Sequence, residues 1–394
     1  MTVWNRDVSS LQGVPVKRAA VGGRSREPAA TVAARRRSGP RAAPSPPRSI
    51  ARALVRWFAR EGRDLPWRRS RDPYHVWVSE IMLQQTQVER VRTFFTRFTT
   101  RFPTVGALAR AREADVLRLW EGLGYYRRAR QLHEAARVVV ERHAGAVPRS
   151  PTDLRALPGV GRYTAHAIAS IAFGVRVPII EANSRRVIAR LVGHDRPVGG
   201  AAGDEPLWQI AEGLLPSRDV SRFNQALMDL GAMVCTPARP RCDACPLAAP
   251  CVAHRTGRTG SIPVPTARPS VQRLRETAVV LRRDGRVLVT RRGAGEWWEG
   301  LWDFPRSVGH RAGDRRLGTV AYTVTRHRVT CIVVERTPQR EELRPARGRR
   351  WVSLSALTAL PLAAPARRIA TLLGPRRGSR LRRAGGVPAG PPVE

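Results

Sequence analysis

Lysine is almost absent from this 394-residue chain: Lys17 is the only one, so arginine supplies nearly all of the 70 basic residues. Chemistry that runs through a lysine Schiff base therefore has one candidate side chain, and it lies in an N-terminal stretch without apolar periodicity. Acidic residues are also scarce, 31 against 70 basic, which leaves a formal net charge of +39. Such an excess points to a polyanionic partner, nucleic acid before any other. A GC-rich genome would account for arginine in place of lysine, but not for the surplus of basic over acidic residues. Long apolar runs are missing too. No stretch is long enough to span a bilayer, and the charged N-terminus lacks the apolar segment of a secretory signal. These absences imply an intracellular, reducing compartment, where the five cysteines are not expected to form stable disulfides.

What is present divides the chain into parts. At 42% hydrophobic residues the chain can build real cores, and its length suits two or three domains. Residues 1–47 are rich in Arg, Ala, Pro, Gly and Ser and read as a disordered basic arm; 375–394 read as a basic tail of the same kind. Residues 48–255 carry helical periodicity. Val76, Glu80, Leu83, Gln87 and Val91 fall at steps of three and four in a segment that continues to Phe98, and further helical segments follow between Pro and Gly breaks. The stretch 256–272 reads as a linker. The period then changes to two: Glu276–Arg283 and Arg286–Arg292 are joined by Asp284-Gly285, a hairpin signal, and a small α/β domain is expected over 273–374, with Ser353–Leu360 and Pro365–Leu373 helical.

Four motifs carry chemistry. Cys235-x6-Cys242-x2-Cys245-x5-Cys251 places four of the five cysteines at metal-ligand spacing, suited to zinc or to a four-iron cluster; the spacing does not choose between them. Cys331 stands apart and reads as buried and inert. Leu157-Pro158-Gly159-Val160-Gly161-Arg162 is a glycine turn leading into a helix, a geometry that frees backbone N–H groups for a phosphate; the plainer alternative is an ordinary loop. In Trp77-Val78-Ser79-Glu80-Ile81-Met82-Leu83, a glutamate among apolar residues should have a raised pKa and could serve as an acid, unless it lies on a solvated helix face. The following Gln84, Gln85, Thr86 and Gln87 offer amide and hydroxyl edges to bases. Pro178-Ile179-Ile180-Glu181-Ala182-Asn183 delivers a carboxylate to a helix start, where it is either a simple cap or the partner of Glu80 in glycosidic-bond cleavage.

Taken in this order, and together with Leu65-Pro66-Trp67, Gly122-Leu123-Gly124-Tyr125-Tyr126 and Phe223-Asn224-Gln225-Ala226, the motifs resemble the MutY-type adenine glycosylase family of the helix–hairpin–helix superfamily, from about Leu65 to Leu372. The resemblance implies a multidomain fold. It has an all-α helix–hairpin–helix body, with the hairpin near 153–165 and an iron–sulfur loop over 235–251, followed by a C-terminal α/β Nudix-like domain. It implies excision of adenine paired with 8-oxoguanine or guanine in double-stranded DNA, by a cytoplasmic, nucleoid-associated monomer. It implies that Glu80 protonates the leaving adenine, with Tyr163 and Asn183 supporting the flipped nucleotide and the second carboxylate, Glu181. Gln84, Gln85, Thr86, Tyr125 and Tyr126 would meet the duplex, Gly159, Gly161 and Arg162 would grip phosphate, and Thr325 and His327 would read the lesion. Cys235, Cys242, Cys245 and Cys251 would hold a 4Fe-4S cluster. No Nudix hydrolase box is present, so lesion recognition rather than pyrophosphate cleavage is expected of the C-terminal part.

Two positions depart from the family pattern. Glu181-Ala182 stands where relatives have Asp-Gly, and Val324-Thr325-Arg326-His327 stands where they have Phe-Ser-His. With no lysine in the helical part, base removal without efficient strand cleavage is expected. Two alternatives stay open at this level: a related enzyme acting on thymine or uracil opposite guanine, and a non-enzymatic lesion-binding protein.

Overall fold

The computed structural model describes residues 47–266, 270–307, 309 and 311–373. The expected basic arm (apart from Pro47), the basic tail and residues 267–269 of the linker lie outside the described residues. No described helix is long and apolar enough to cross a membrane.

The helical body has two apolar cores. One is built from Pro73–Leu83, Val88–Arg101, Glu113–Trp120, Arg127–Arg142 and Arg162–Phe173 around Trp77, Phe98, Trp120 and Ile168. The other joins Pro47–Glu61, Ala182–Val192, Gly200–Leu214 and Val220–Met233 around Leu54, Ile188, Leu207 and Phe223. Tyr163 packs against both, so the first turn of Arg162–Phe173 lies at the seam between the two halves. Pro73–Leu83 is apolar on nearly every side, as a central helix must be, and the Asp72 side chain caps it by accepting from the Tyr74 N–H at 2.8 Å.

The periodic segment expected to run from Val76 through to Phe98 is two helices. The chain leaves the helix at Gln84, turns through Gln85 in the left-handed region (φ 55°), and starts again at Val88. Arg128 is what makes the break stable. Its guanidinium takes up the Ile81 and Met82 carbonyls at 2.8 and 2.9 Å and the Gln84 carbonyl as well, which are acceptors a helix end leaves unpaired. Periodicity alone does not show a break that a residue more than forty positions away supports.

In the C-terminal part, Gln272–Arg283 is the central strand. It runs parallel to His327–Arg336 and antiparallel to Arg286–Arg291 across the Asp284-Gly285 turn, whose two residues both have positive φ (49° and 70°). Arg315–Val324 and Arg349–Ser353 flank the sheet. Ala364–Leu373 covers one face through Ile369 and Leu373. The segment expected to be helical over Ser353–Leu360 is instead the end of the strand Arg349–Ser353 and a short 3-10 turn, Ala356–Ala359, because Arg349–Ser353 completes the sheet edge beside Arg286–Thr290. The linker region is partly built into the body: Ile262 is buried in the second core, and Val264–Pro265 pairs with Pro197–Val198. Leu301 and Ala363 of the sheet domain are buried in the first helical core.

Candidate active site

A cavity of about 450 Å³ opens at the seam, lined by Arg63, Arg68, Glu80, Gln84, Tyr163, Glu181, Asn183 and Gln225 among others. Glu80, near the end of Pro73–Leu83, is 3% exposed, and its Oε2 accepts a 2.6 Å hydrogen bond from the Tyr163 hydroxyl. Burial pushes the Glu80 carboxyl up to about 7; the nearby Glu181 charge adds to this, while Tyr163 and Arg68 oppose it. At neutral pH a substantial fraction of Glu80 is therefore protonated and able to give up a proton. Burial between two carboxylates holds the Tyr163 hydroxyl well above its ordinary range, so it remains a donor.

Glu181 is the N-cap of Ala182–Val192. Its Oε1 accepts from the Ser184 N–H at 2.8 Å and its Oε2 from the Asn183 N–H at 2.9 Å and the Asn183 amide at 3.2 Å. The Ser184 hydroxyl accepts in return from the Glu181 N–H at 2.9 Å, completing a capping box. Burial pushes the Glu181 carboxyl up, opposed by those N–H groups and by Arg186 and Arg185. The cap and the catalytic reading are compatible. An ionised carboxylate has about four lone-pair sites, so the capping bonds leave some free toward the cavity while fixing the group in place. Asn183 is itself held by Arg186, whose Nη2 donates to Oδ1 at 2.8 Å.

Sequence reasoning missed two parts of the site. Asp229 is fully buried and receives Arg63 Nε at 2.9 Å, the Arg63 N–H at 3.0 Å and Arg68 Nη1 at 2.7 Å. Burial acts to raise this carboxyl, but the two arginines outweigh it and hold it below the usual range. Both arginines line the cavity, and Asp229 holds them there from behind. Each residue lies in or beside a motif quoted above, but no local spacing joins positions 166 apart. The second part is Arg128, 8% exposed, which also donates to Thr86 Oγ1 at 3.1 Å and to the Gly124 carbonyl at 3.3 Å. Burial pushes its guanidinium down to about 10. It ties the end of the Glu80 helix to the Gly122–Tyr126 loop.

The remaining candidates are distributed as follows. Gln84 lines the cavity and donates to Thr164 Oγ1 at 3.2 Å; Gln85 is exposed at the cavity mouth; Thr86 is anchored by Arg128. Tyr125 and Tyr126 part company. Tyr125 is 48% exposed with φ 49°, whereas Tyr126 is 5% exposed, its hydroxyl accepting from the Gly122 N–H at 3.3 Å. Tyr126 is thus largely buried and reaches the surface only where it lines the second cavity described below, whereas Tyr125 is the exposed member of the pair. Gly159 (φ 76°) admits no side chain, since a Cβ there would lie 2.8 Å from Gln131 Cβ; Gly161 caps Arg162–Phe173. Arg162 is engaged within the protein, paired with Glu205 at 2.6 Å and stacked 4.1 Å over the Trp208 ring. Thr325 lies exposed at a turn (φ 49°), and its hydroxyl pairs with His327 Nδ1 at 3.1 Å. The other His327 nitrogen pairs with Gln272 at 2.9 Å, and its ring packs on Trp297. Thr325, but not His327, lines a second cavity of about 800 Å³ between the Gly122–Tyr126 loop and Trp297-Trp298.

The four loop cysteines line a small cavity of their own, closed by Arg190. Among the described residues, no group of three or more His, Cys, Asp or Glu side chains forms a ready site for a metal ion. Burial pushes the Cys242 and Cys251 thiols up and the Cys245 thiol up to about 11, so stabilisation of thiolates falls to the neighbouring arginines. Arg190 is buried and donates to the Thr236 and Pro237 carbonyls at 2.8 and 2.9 Å and to Cys235 Sγ at 3.4 Å, and Arg186 Nε holds the Cys235 carbonyl at 2.7 Å. Two buried cations beside four converging thiols fit a soft, thiolate-bound group. Cys331 is fully buried in its strand, beside Arg306 at 2.8 Å, and burial pushes its thiol up to about 12.

Comparison with known proteins bears on this arrangement. Residues 78–201 match the family described as "HhH-GPD superfamily base excision DNA repair protein", and residues 277–372 match "NUDIX domain". The "Adenine DNA glycosylase" of Buchnera aphidicola is 33% identical over 257 residues, which cover 65% of this chain and 74% of that protein. The protein of that name from Mycolicibacterium smegmatis is 41% identical over 248 residues, covering 60% and 82%. The one from Rattus norvegicus is 44% identical over 227 residues, covering 55% and 44%, so the chain spans less than half of the rat protein's length.

Proposed function

Because the chain belongs to the adenine DNA glycosylase family, we propose that it excises adenine from 8-oxoguanine or guanine mispairs in double-stranded DNA, as a monofunctional enzyme acting as a monomer. The observation that carries this reading is the buried Glu80–Tyr163 pair sharing one cavity with the capped carboxylate of Glu181. An adenine flipped out of the duplex enters the cavity. Protonated Glu80 gives its proton to the departing base, which leaves with the electrons of the C–N bond. The sugar is left with cationic character, which the fixed Glu181 carboxylate offsets. Because the backbone N–H groups of Asn183 and Ser184 hold Glu181, its extra methylene relative to aspartate is positioned rather than loose. Ionised Glu80 then takes a proton from the water that captures the sugar. With Tyr163 at the hairpin helix and no lysine among the described residues, no amine stands at the cavity to cleave the strand.

Cys235, Cys242, Cys245 and Cys251 would hold a 4Fe-4S cluster, which when bound would lock the loop that they span. Arg186 and Arg190 grip the backbone of that loop, and Arg239 and Arg241 lie exposed on it, available to phosphate. Tyr125, Gln85 and Thr325 face the duplex in this reading, and the 800 Å³ cleft lies where the base opposite the adenine would be inspected.

The test is single-turnover cleavage of duplexes containing A opposite 8-oxoguanine, G or C, and T opposite G, with products resolved with and without alkali. Alkali-dependent breakage at the adenine, fastest opposite 8-oxoguanine, is expected. Binding without breakage of any duplex would replace this reading with that of a lesion-binding protein.

A further inference from the structure

The loop Gly122–Tyr126 presents Tyr125 to solvent, and three ion pairs join the helical body around it to the sheet domain. Arg367, on Ala364–Leu373, makes a bidentate pair with Glu121, both contacts at 2.7 Å. Arg130 pairs with Glu299 at 3.0 Å, and Arg291 pairs with Glu113 at 3.0 Å. The Glu121 pair differs from the other two in its position. Glu121 immediately precedes Gly122 and ends the helix Glu113–Trp120. The Arg367 guanidinium also donates to the Leu357 and Leu360 carbonyls, at 3.2 and 3.1 Å. The pair is largely screened from solvent, with side chains 31% and 22% exposed.

Turn geometry and hydrogen bonds tie the loop together between Glu121 and Tyr126. Gly122, Gly124 and Tyr125 all have positive φ (104°, 78° and 49°). Trp120 Nε1 holds the Gly124 carbonyl at 3.1 Å, Arg128 holds it from the other side, and the Gly122 N–H is bound to the Tyr126 hydroxyl. These contacts link Glu121 to Tyr125 through the three residues between them. From this geometry we infer that Arg367 is a positioning residue: through Glu121 it sets where Tyr125 enters the duplex, and so how strongly the base opposite the adenine is discriminated, while leaving bond cleavage in the cavity alone. This inference rests on the reading of Tyr125 as the duplex wedge. Neither Glu121 nor Arg367 lines the catalytic cavity or the 800 Å³ cleft.

The experiment compares the full-length protein with Arg367→Gln, Glu121→Gln, Arg367→Lys and the charge swap Glu121→Arg/Arg367→Glu. Two readouts are taken. One is the ratio of single-turnover rates for A opposite 8-oxoguanine and A opposite C. The other is the fluorescence of 2-aminopurine placed beside the mispair in a duplex carrying an uncleavable abasic analogue, with Tyr125→Ala as the reference for lost unstacking. Each glutamine variant is expected to lower the rate ratio about three- to tenfold, the range for a partly buried ion pair of about 1 kcal/mol, and to reduce the fluorescence rise. Rates on the preferred duplex at saturating protein should stay within about twofold of the parent. Arg367→Lys, which cannot form the fork, should fall between, and the swap should recover most of both signals. Unchanged ratio and fluorescence in both glutamine variants would overturn the inference. So would a loss that tracks a fall in melting temperature and is not recovered by the swap. The fluorescence readout does not need excision: a parent protein that unstacks the probe through Arg367 but cleaves nothing refutes the glycosylase reading and not this one.

Discussion

Replacing Tyr163 with phenylalanine should move the alkaline limb of the pH–rate profile upward, and the size of the move follows from one hydrogen bond. Glu80 acts as an acid in the proposed reaction, so its protonated form is the active one. With its carboxyl at about 7, the rate constant should be flat at lower pH and fall tenfold per pH unit above that value. The Tyr163 hydroxyl donates to Glu80 Oε2 at 2.6 Å, and that bond favours the charged carboxylate. A hydrogen bond to a charged group contributes about 1.5 kcal/mol at the lower end of its range, and about 1.4 kcal/mol corresponds to one pKa unit. Removing it should shift the limb up by about one pH unit. Tyr163→Phe is then slower than the parent near neutrality only to the extent that cavity packing suffers, and it overtakes the parent in relative terms at alkaline pH. The assay is single-turnover excision from an A·8-oxoguanine duplex from about pH 5.5 to about pH 9.5, with enzyme saturating at every pH. A limb that stays in place or moves down would refute the argument, because Glu80 would then not be the group whose ionisation the profile reports.

Three further outcomes are expected. Glu80→Gln should abolish excision and stabilise the protein in a pH-dependent way: the folded-state carboxyl is raised from 4.5 to about 7, so the parent loses stability as pH rises between those values, where only the unfolded chain ionises, and the variant should gain about 3 kcal/mol at pH 8 but less than about 1 kcal/mol at pH 5 by denaturant unfolding. Glu181→Gln keeps one oxygen to cap Ala182–Val192, turns an amide NH2 toward a backbone N–H that the other oxygen accepts, and loses the charge; it should cost about 1–3 kcal/mol of stability while the single-turnover rate falls about a hundredfold or more, and a rate within tenfold of the parent in the folded variant would argue against electrostatic stabilisation by this residue. Gly159→Ala meets both a positive φ of 76° and Gln131 Cβ at 2.8 Å, so it should cost about 1–3 kcal/mol in thermal unfolding and weaken duplex binding with a reduced salt dependence.

The contrast between the two carboxylates shows what sequence reasoning can reach. Glu80 was legible because an acid inside a continuous apolar helix has few ways to avoid burial, and burial alone raises its pKa. Glu181 was legible as a residue at a helix start, with two readings that spacing could not separate; the structure shows the cap, and because capping uses only part of the carboxylate's capacity it leaves room for the catalytic role proposed above. The four cysteines, the hairpin glycines and the change of period near residue 273 were likewise local signals, each tied to what a few consecutive residues can do. Tyr126 shows the limit. Two adjacent tyrosines look alike in a motif, and only the turn geometry at Gly122 and Gly124 decides that one is 48% exposed and the other is 5% exposed.

By itself, then, the sequence determined the order of helical body and sheet domain, the grouping of four thiols in one loop, the placing of Glu80 among apolar residues and the absence of lysine after position 17. These are properties of composition, period and short spacing, which the chain carries in any conformation. Tertiary structure alone decided the break after Leu83, the Arg63–Arg68–Asp229 cluster and the grip of Arg367 on Glu121, which join residues up to 246 positions apart. Such contacts exist only once distant segments have been packed together, because an arginine has many acceptors within reach of its chemistry and the fold alone brings one of them within reach of its side chain.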